Sequence, residues 1–191
     1  LAKSGYIAFS SLEEIELPKP PKQLPRSIFT VEEIEKLMQQ PNLSTAVGIR
    51  DRSMMELLYS TAIRRRELIH IDLNDLDLAN QWLMVRQGKG AKDRAVPVGQ
   101  RAVYWLERYL KDARPEMTKL VTEQALFISE RGRRLHHTTF ACNLLKYKQA
   151  AGISKTGSCH AFRHSTATLM LQNNADIRVI QTLLGHECLS T

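Results

Sequence analysis

The sequence predicts a mainly α-helical domain carrying a small antiparallel β-sheet. Apolar residues recur at helical spacing in successive segments, several opened by capping residues and closed by proline or glycine. One pair of segments, Trp82–Gln87 and Arg94–Val98, alternates as strands do, with a glycine-rich turn between them. No apolar run approaches the length needed to span a bilayer, and no signal-like segment opens the chain.

Taken in order, residues 1–28 read as the end of an N-terminal region and a linker. Leu17-Pro18-Lys19-Pro20-Pro21-Lys22 and Leu24-Pro25-Arg26 hold four of the seven prolines, which favours an extended, semi-rigid segment. The chain opens at Leu1 rather than Met, as a piece of a longer protein would. Its 191 residues allow one full domain plus a fragment, and the domain proper is expected over residues 29–191. Thr30 and Glu33 form a capping box, Phe29 and Ile34 a hydrophobic staple, and Pro41 lies at the far end of that helix. A second helix is predicted from about Thr45 to Ser60, with Val47, Met54, Met55 and Leu58 as its inner stripe. The methionines there are core filler. Val103, Leu106 and Leu110 mark a further helix ending near Pro115, and Ala125–Ser129 is a short candidate strand. A helix with the stripe Phe140, Leu144 and Tyr147 follows a basic stretch holding Arg131, Arg133, Arg134, His136 and His137, which suits contacts to a phosphate backbone.

The stretch Cys159–His186 carries the sharpest chemistry. His160 and Arg163 are three apart and share a helix face, with Phe162 and Leu169 turned to a core. Asp176 caps a last helix whose expected buried stripe is Ile177, Ile180 and Leu184. Gly185 ends it in the left-handed position and presents His186. Two imidazoles and a guanidinium at helix ends suit a cluster of phosphodiester oxygens. The formal charge of +7 agrees with a polyanionic partner. Three cysteines, Cys142, Cys159 and Cys188, show no paired framework, which points to a reducing cytoplasm.

Four motifs occur in a fixed order: Thr61-Ala62-Ile63-Arg64-Arg65-Arg66-Glu67-Leu68, Gly88-Lys89-Gly90-Ala91-Lys92-Asp93-Arg94, the run from His160 through Arg163 to His164, and Leu183-Leu184-Gly185-His186. Over roughly residues 29–191 their order and spacing resemble the catalytic domain of the tyrosine recombinases, the phage integrase and Xer family. The resemblance implies transesterification of a DNA phosphodiester through a 3′-phosphotyrosyl intermediate, with no metal and no other cofactor. It implies a double-stranded recombination site as substrate, a homo- or hetero-tetramer on DNA, and a nucleoid-associated protein in the cytoplasm. Arg64 and Arg163 would clamp the phosphate, with Glu67 orienting Arg64. Lys89 would protonate the leaving 5′ oxygen, His160 would act as general base or phosphate partner, and His186 would support the phosphate or the nucleophile. Lys92, Arg94, Arg131, Arg133 and Arg134 would contact DNA. The chain departs from the family pattern at Ala62, where glycine is usual, and at Arg66, where serine is usual. None of Tyr6, Tyr59, Tyr104, Tyr109 and Tyr147 matches the nucleophile's place beyond His186, so residues 1–191 are expected not to cleave DNA alone.

Three other readings stand beside this one. The domain can be a noncatalytic DNA-binding module of the same fold, or a type IB topoisomerase-like enzyme. Cys159, His160, His164, His186 and Cys188 can also supply zinc ligands, since His160 and His164 have the four-residue spacing of helical ligands.

Overall fold

The computed structural model of this chain describes residues 28–86, 93–118 and 123–185. Thr30 opens the first helix, α1 (Val31–Met38), with the expected reciprocal box: its hydroxyl accepts from Glu33 N at 3.2 Å and Glu33 Oε2 accepts from Thr30 N at 2.7 Å. Phe29 and Ile34 are both buried beside it. Thr45 Oγ1 caps α2 (Ala46–Thr61) by accepting from Gly48 N at 3.1 Å. This helix is the centre of the domain and is surrounded on nearly every side. Met54, Met55 and Leu58 are buried as expected, while Leu57 is fully buried and Val47 only partly so. A Cβ on Gly48 would stand 1.9 Å from the carbonyl oxygen of Asn42, so only glycine allows the incoming loop to lie this close.

After α3 (Arg65–His70), a single 3₁₀ turn at Leu73–Asp75 leads into the sheet. Its strands are β1 (Leu76–Asp77), β2 (Trp82–Val85) and β3 (Arg94–Pro97), antiparallel in the order β1-β2-β3. Leu83 pairs with Val96 and both are buried, whereas Trp82 and Met84 face outward, which is the alternation the sequence displays.

The next helical stretch differs from its sequence reading. α4 (Gln100–Arg108) passes into a π-helical turn at Tyr109–Ala113 and continues as α5 (Arg114–Met117). The stretch ends at Met117, two residues past Pro115, close to where the proline places its end. The π turn just before Pro115 widens the helix where the ring and the missing N–H disturb the regular bonding. The turn also carries Tyr109 inward, fully buried, with its ring stacked on Phe127 at 5.5 Å between centroids.

Ala125–Ser129 forms no regular strand. It makes only isolated bridges, Asp72 with Ala125 and Ile128 with Arg134. Side chains satisfy the backbone groups that a neighbouring strand would have taken. Arg114 Nη2 donates to Ala125 O at 2.9 Å, and the Tyr109 hydroxyl donates to Leu126 O at 3.1 Å.

The remaining helices are α6 (His137–Ala150), α7 (Cys159–Gln172) and α8 (Ile177–Leu184). Asp176 Oδ1 caps α8 by accepting from Arg178 N at 2.7 Å, and Gly185 closes it at φ +61°. Its buried line is Ile180 and Leu183, whereas Ile177 is 54% exposed. Each three-residue step turns the side chain back by about 60°, so a stripe centred on Ile180 and Leu183 leaves Ile177 in solvent. Among the described residues no helix is long and apolar enough to cross a membrane.

Candidate active site

Glu67 organises the site. It lies in the first turn of the short helix α3, where a carboxylate is favoured by exposed N–H groups. Its Oε2 accepts from the backbone N of Arg64 at 2.7 Å and from Arg94 Nη2 at 2.9 Å. Its Oε1 accepts from Arg64 Nη1 at 2.9 Å and from Arg94 Nη1 at 3.0 Å. The four donors saturate the carboxylate, whose side chain is only 7% exposed. Burial pushes the Glu67 carboxyl up, but the hydrogen bonds from Arg94 and from Arg64 outweigh it and hold the group below its ordinary range.

Arg64 is thereby fixed at one end and free at the other. Nη1 and the backbone are held, while Nε and Nη2 have no partner among the described residues. Two N–H-bearing nitrogens of a fixed guanidinium fork are what a phosphate clamp requires. Arg163, on the first turns of α7, is buried at 8% exposure. Its Nη1 donates to Ala62 O at 2.6 Å and its Nη2 to Leu184 O at 2.5 Å. Ala62 takes the left-handed conformation, φ 50° and ψ 25°, at the end of α2. A non-glycine residue there carries a strain of about 1 kcal/mol, and the bond from Arg163 helps to hold its carbonyl in place. Burial, the Arg64 charge and the Arg94 charge bring the Arg163 guanidinium down to about 10, against the opposing pull of Glu67. Two guanidiniums thus bond the one carboxylate and a third feels its charge without touching it, and the surplus of positive charge invites an anion.

Arg94 is turned inward. Besides Glu67 it reaches Leu183 O through Nε at 3.3 Å, and its side chain is 13% exposed. The sequence alone points this residue outward to DNA, whereas its Nε reaches the end of α8 at Leu183 O. Gly185 makes this possible. A Cβ there would come within 3.2 Å of the Arg94 guanidinium carbon, on a backbone that L residues rarely adopt. Gly185→Ala is therefore expected to destabilise the domain by about 1–2 kcal/mol, measured by chemical denaturation. A change below experimental error would show that the loop relaxes freely.

His160 is exposed at the first turn of α7, on the helix that buries Arg163. His164 lies one turn further; burial, then His160 and Arg163, push its imidazole below the ordinary value. Arg131 and Arg133 are exposed on the loop before α6. Arg134 instead braces α3 and the following segment, donating to Ile69 O at 2.9 Å and pairing with Asp72. Lys89, Lys92 and His186 lie outside the described residues, as does Cys188. Cys159, one of the suggested zinc ligands, is 3% exposed, and burial pushes its thiol up to about 11. Among the described residues no group of three His, Cys, Asp or Glu side chains is placed to hold a metal ion.

The described tyrosines are engaged elsewhere. Tyr109 OH is buried against Leu126 O, Tyr147 OH donates to Asp51 Oδ2 at 2.9 Å, Tyr104 packs edge-on against Trp105, and the Tyr59 ring lies under Arg101.

A mainly helical domain with a three-stranded antiparallel sheet is the catalytic-domain fold of the tyrosine recombinases. Residues 27–191 match the phage integrase family, and the chain belongs to it. Tyrosine recombinase XerC 2 of Ralstonia nicotianae is 46% identical over 191 residues, which are all of this chain and 55% of that protein. The chain thus spans little more than half of this relative's length. The crystal structure of XerA recombinase superposes with a TM-score of 0.75 at 29% identity, covering 90% of this chain and 58% of that one. The XerH site-specific recombinase bound to its difH substrate in a pre-cleavage complex gives 0.74 at 26%, covering 90% and 50%.

Proposed function

We propose that residues 29–191 are the catalytic domain of an Xer-like site-specific recombinase that cuts and rejoins DNA strands through a 3′-phosphotyrosyl intermediate. The observation that carries this reading is the half-occupied Arg64 guanidinium, anchored on Glu67 beside buried Arg163. In transesterification, negative charge grows on the nonbridging oxygens, and preplaced cations lower that barrier without reorganising. Arg64 takes the phosphate with Nε and Nη2, and Arg163 supplies buried charge behind it. His160 serves at the rim as base or hydrogen-bond partner. Lys89 is the acid for the leaving 5′ oxygen and His186 supports the phosphate, roles that rest on the motif resemblance. The linkage conserves bond energy, so religation needs neither ATP nor metal.

Lys92, Arg131 and Arg133 contact the DNA backbone, with Arg94 and Arg134 holding the surfaces around them. The protein acts on a double-stranded recombination site as a tetramer and works on the nucleoid in the cytoplasm.

The test separates binding from chemistry. Residues 1–191 are expected to bind duplex DNA with an affinity that falls steeply with salt, and to form no covalent adduct with a nicked suicide substrate on denaturing gels. A version extended to carry the family's tyrosine is expected to form the adduct, and its Arg64→Ala variant is expected to lose at least about a hundredfold in adduct rate. A covalent complex from residues 1–191 would mean that another residue attacks. An extended version that binds but never cleaves would leave the noncatalytic DNA-binding reading. Relaxation of supercoiled DNA without exchange between sites would favour the topoisomerase reading.

A further inference from the structure

A second cationic surface adjoins the arginine site and differs from it in being titratable. It is built from two elements that pack together, α3 and the start of α6. From α3 come Arg65, Arg66 and His70; from α6 and its cap come His136 and His137. The two imidazole rings of His136 and His137 lie 4.3 Å apart. His70 Nδ1 is 2.7 Å from Arg66 O. A carbonyl only accepts, so Nδ1 carries the hydrogen and Nε2 is left to take a proton. His136 Nδ1 is likewise engaged, with Thr138 Oγ1 at 2.7 Å.

The charges facing this cluster leave it unneutralised. Arg65 and Arg66 form no ion pair among the described residues. A cleft of about 420 Å³ lined in part by Arg66 and His70 does hold acids, but each already has an arginine. Glu67 is saturated by Arg64 and Arg94, Asp72 is paired with Arg134, and Asp75 with Arg86. Exposed Arg133 on the loop before α6 adds positive charge. Burial, then His136, Arg65, Arg66 and His70, hold the His137 imidazole below its ordinary value. Arg65 directly follows Arg64, the proposed phosphate clamp, at the start of α3, so the cluster adjoins the proposed cleavage site.

We propose that His70, His136 and His137, with Arg65 and Arg66, form a proton-controlled docking site for the DNA phosphate backbone next to the scissile phosphate. The inference rests on the recombinase reading for its ligand. The physical argument is linkage. Without DNA, neighbouring cations oppose protonation of the His137 imidazole. A phosphate laid across the cluster reverses that field, so the His137 pKa rises on binding and a proton is taken up. Binding must then tighten as pH falls through the interval between free and bound values, and lose this dependence above it. A histidine surface thus provides a pH-graded grip where arginines alone give a constant one.

The experiment is fluorescence anisotropy of residues 1–191 with a short labelled duplex, at constant ionic strength, from about pH 8 to about pH 6. The wild type is expected to gain about tenfold in affinity over that range, the equivalent of one unit of net pKa shift, with a steeper salt slope at the acid end. The triple variant His70→Gln, His136→Gln, His137→Gln is expected to lose most of that gain. Side-chain NMR of the wild-type histidines is expected to show the His137 titration moving to higher pH when DNA is added, a readout that needs no variant to fold. An unchanged pH gain in the folded triple variant, or a His137 titration that stays in place on DNA binding, would overturn the proposal. Binding that is tight but flat in pH overturns it and leaves the cleavage reading standing; no duplex binding at any pH overturns both.

Discussion

Glu67→Gln is expected to unfold at a temperature about 10 °C below wild type, from a loss of roughly 3–5 kcal/mol. The amide keeps the shape of the side chain but only one accepting oxygen. Its NH₂ group is set against the guanidiniums of Arg64 or Arg94, where donor meets donor. Arg94, 13% exposed, then lies beside Arg163 with no carboxylate between them. Because both partners of the Glu67–Arg94 pair are largely shielded, solvent recovers little of the loss. The pH dependence has a definite sign. The folded carboxyl is held below its unfolded value, so its contribution is fully present above about pH 4.3 and is lost as pH falls through the lower folded value. Wild type and variant should therefore converge in acid and differ most near neutrality. A thermal shift of less than about 3 °C at pH 7 would mean that the arginines find other partners, and that Glu67 does not organise the site. Added sulfate should stabilise the variant more than the wild type, since an anion can occupy the emptied position.

The sequence carried the local parts of this architecture and missed the long-range ones. The caps at Thr30, Asp176 and Gly185 were legible because each depends on a few neighbouring residues. The pairing of β2 with β3 was legible because alternation and a glycine turn declare it. Arg64, Glu67, His160 and Arg163 were singled out by their motifs, and the structure sets Glu67 against Arg64 and Arg94, and Arg163 against Ala62 O and Leu184 O, contacts that the motifs do not state. Arg94 illustrates the limit. A cationic residue at the root of a hairpin reads as an outward contact, since its partner Glu67 is far away in the chain and the carbonyl of Leu183 farther still. The π turn after Arg108 was hidden because nothing in its composition separates it from the α-helix on either side. Ala125–Ile128, buried throughout, offers no alternation, and its backbone is satisfied by Tyr109 and Arg114 side chains that a local pattern cannot supply.

The least legible feature is the polar interior of α2, and it yields the other large expected effect. Arg50 and Asp51 are adjacent on the helix, where side chains point about 100° apart, yet both are buried because α2 is enclosed on nearly every side. Asp51 accepts from Arg50 Nη2 at 2.7 Å and Nε at 2.9 Å, and from Asn143 Nδ2 at 2.8 Å and the Tyr147 hydroxyl at 2.9 Å. The two last donors belong to α6, so one fully buried carboxylate ties the central helix to the helix that begins with His137. Asp51→Ala is expected to destabilise the domain by roughly 3–5 kcal/mol, since it leaves a buried guanidinium with Ile128 O as its remaining partner and orphans two donors on α6. Hydrogen exchange should then accelerate along α6 more than along α4, whose contacts with α2 do not pass through Asp51. The double variant Arg50→Met, Asp51→Leu removes both charges together and is expected to recover part of that stability. It should not recover the protection of α6, because Asn143 and Tyr147 still lack their acceptor. Recovery of both would show that the ion pair alone matters, and that the bridge from Asp51 to α6 contributes nothing.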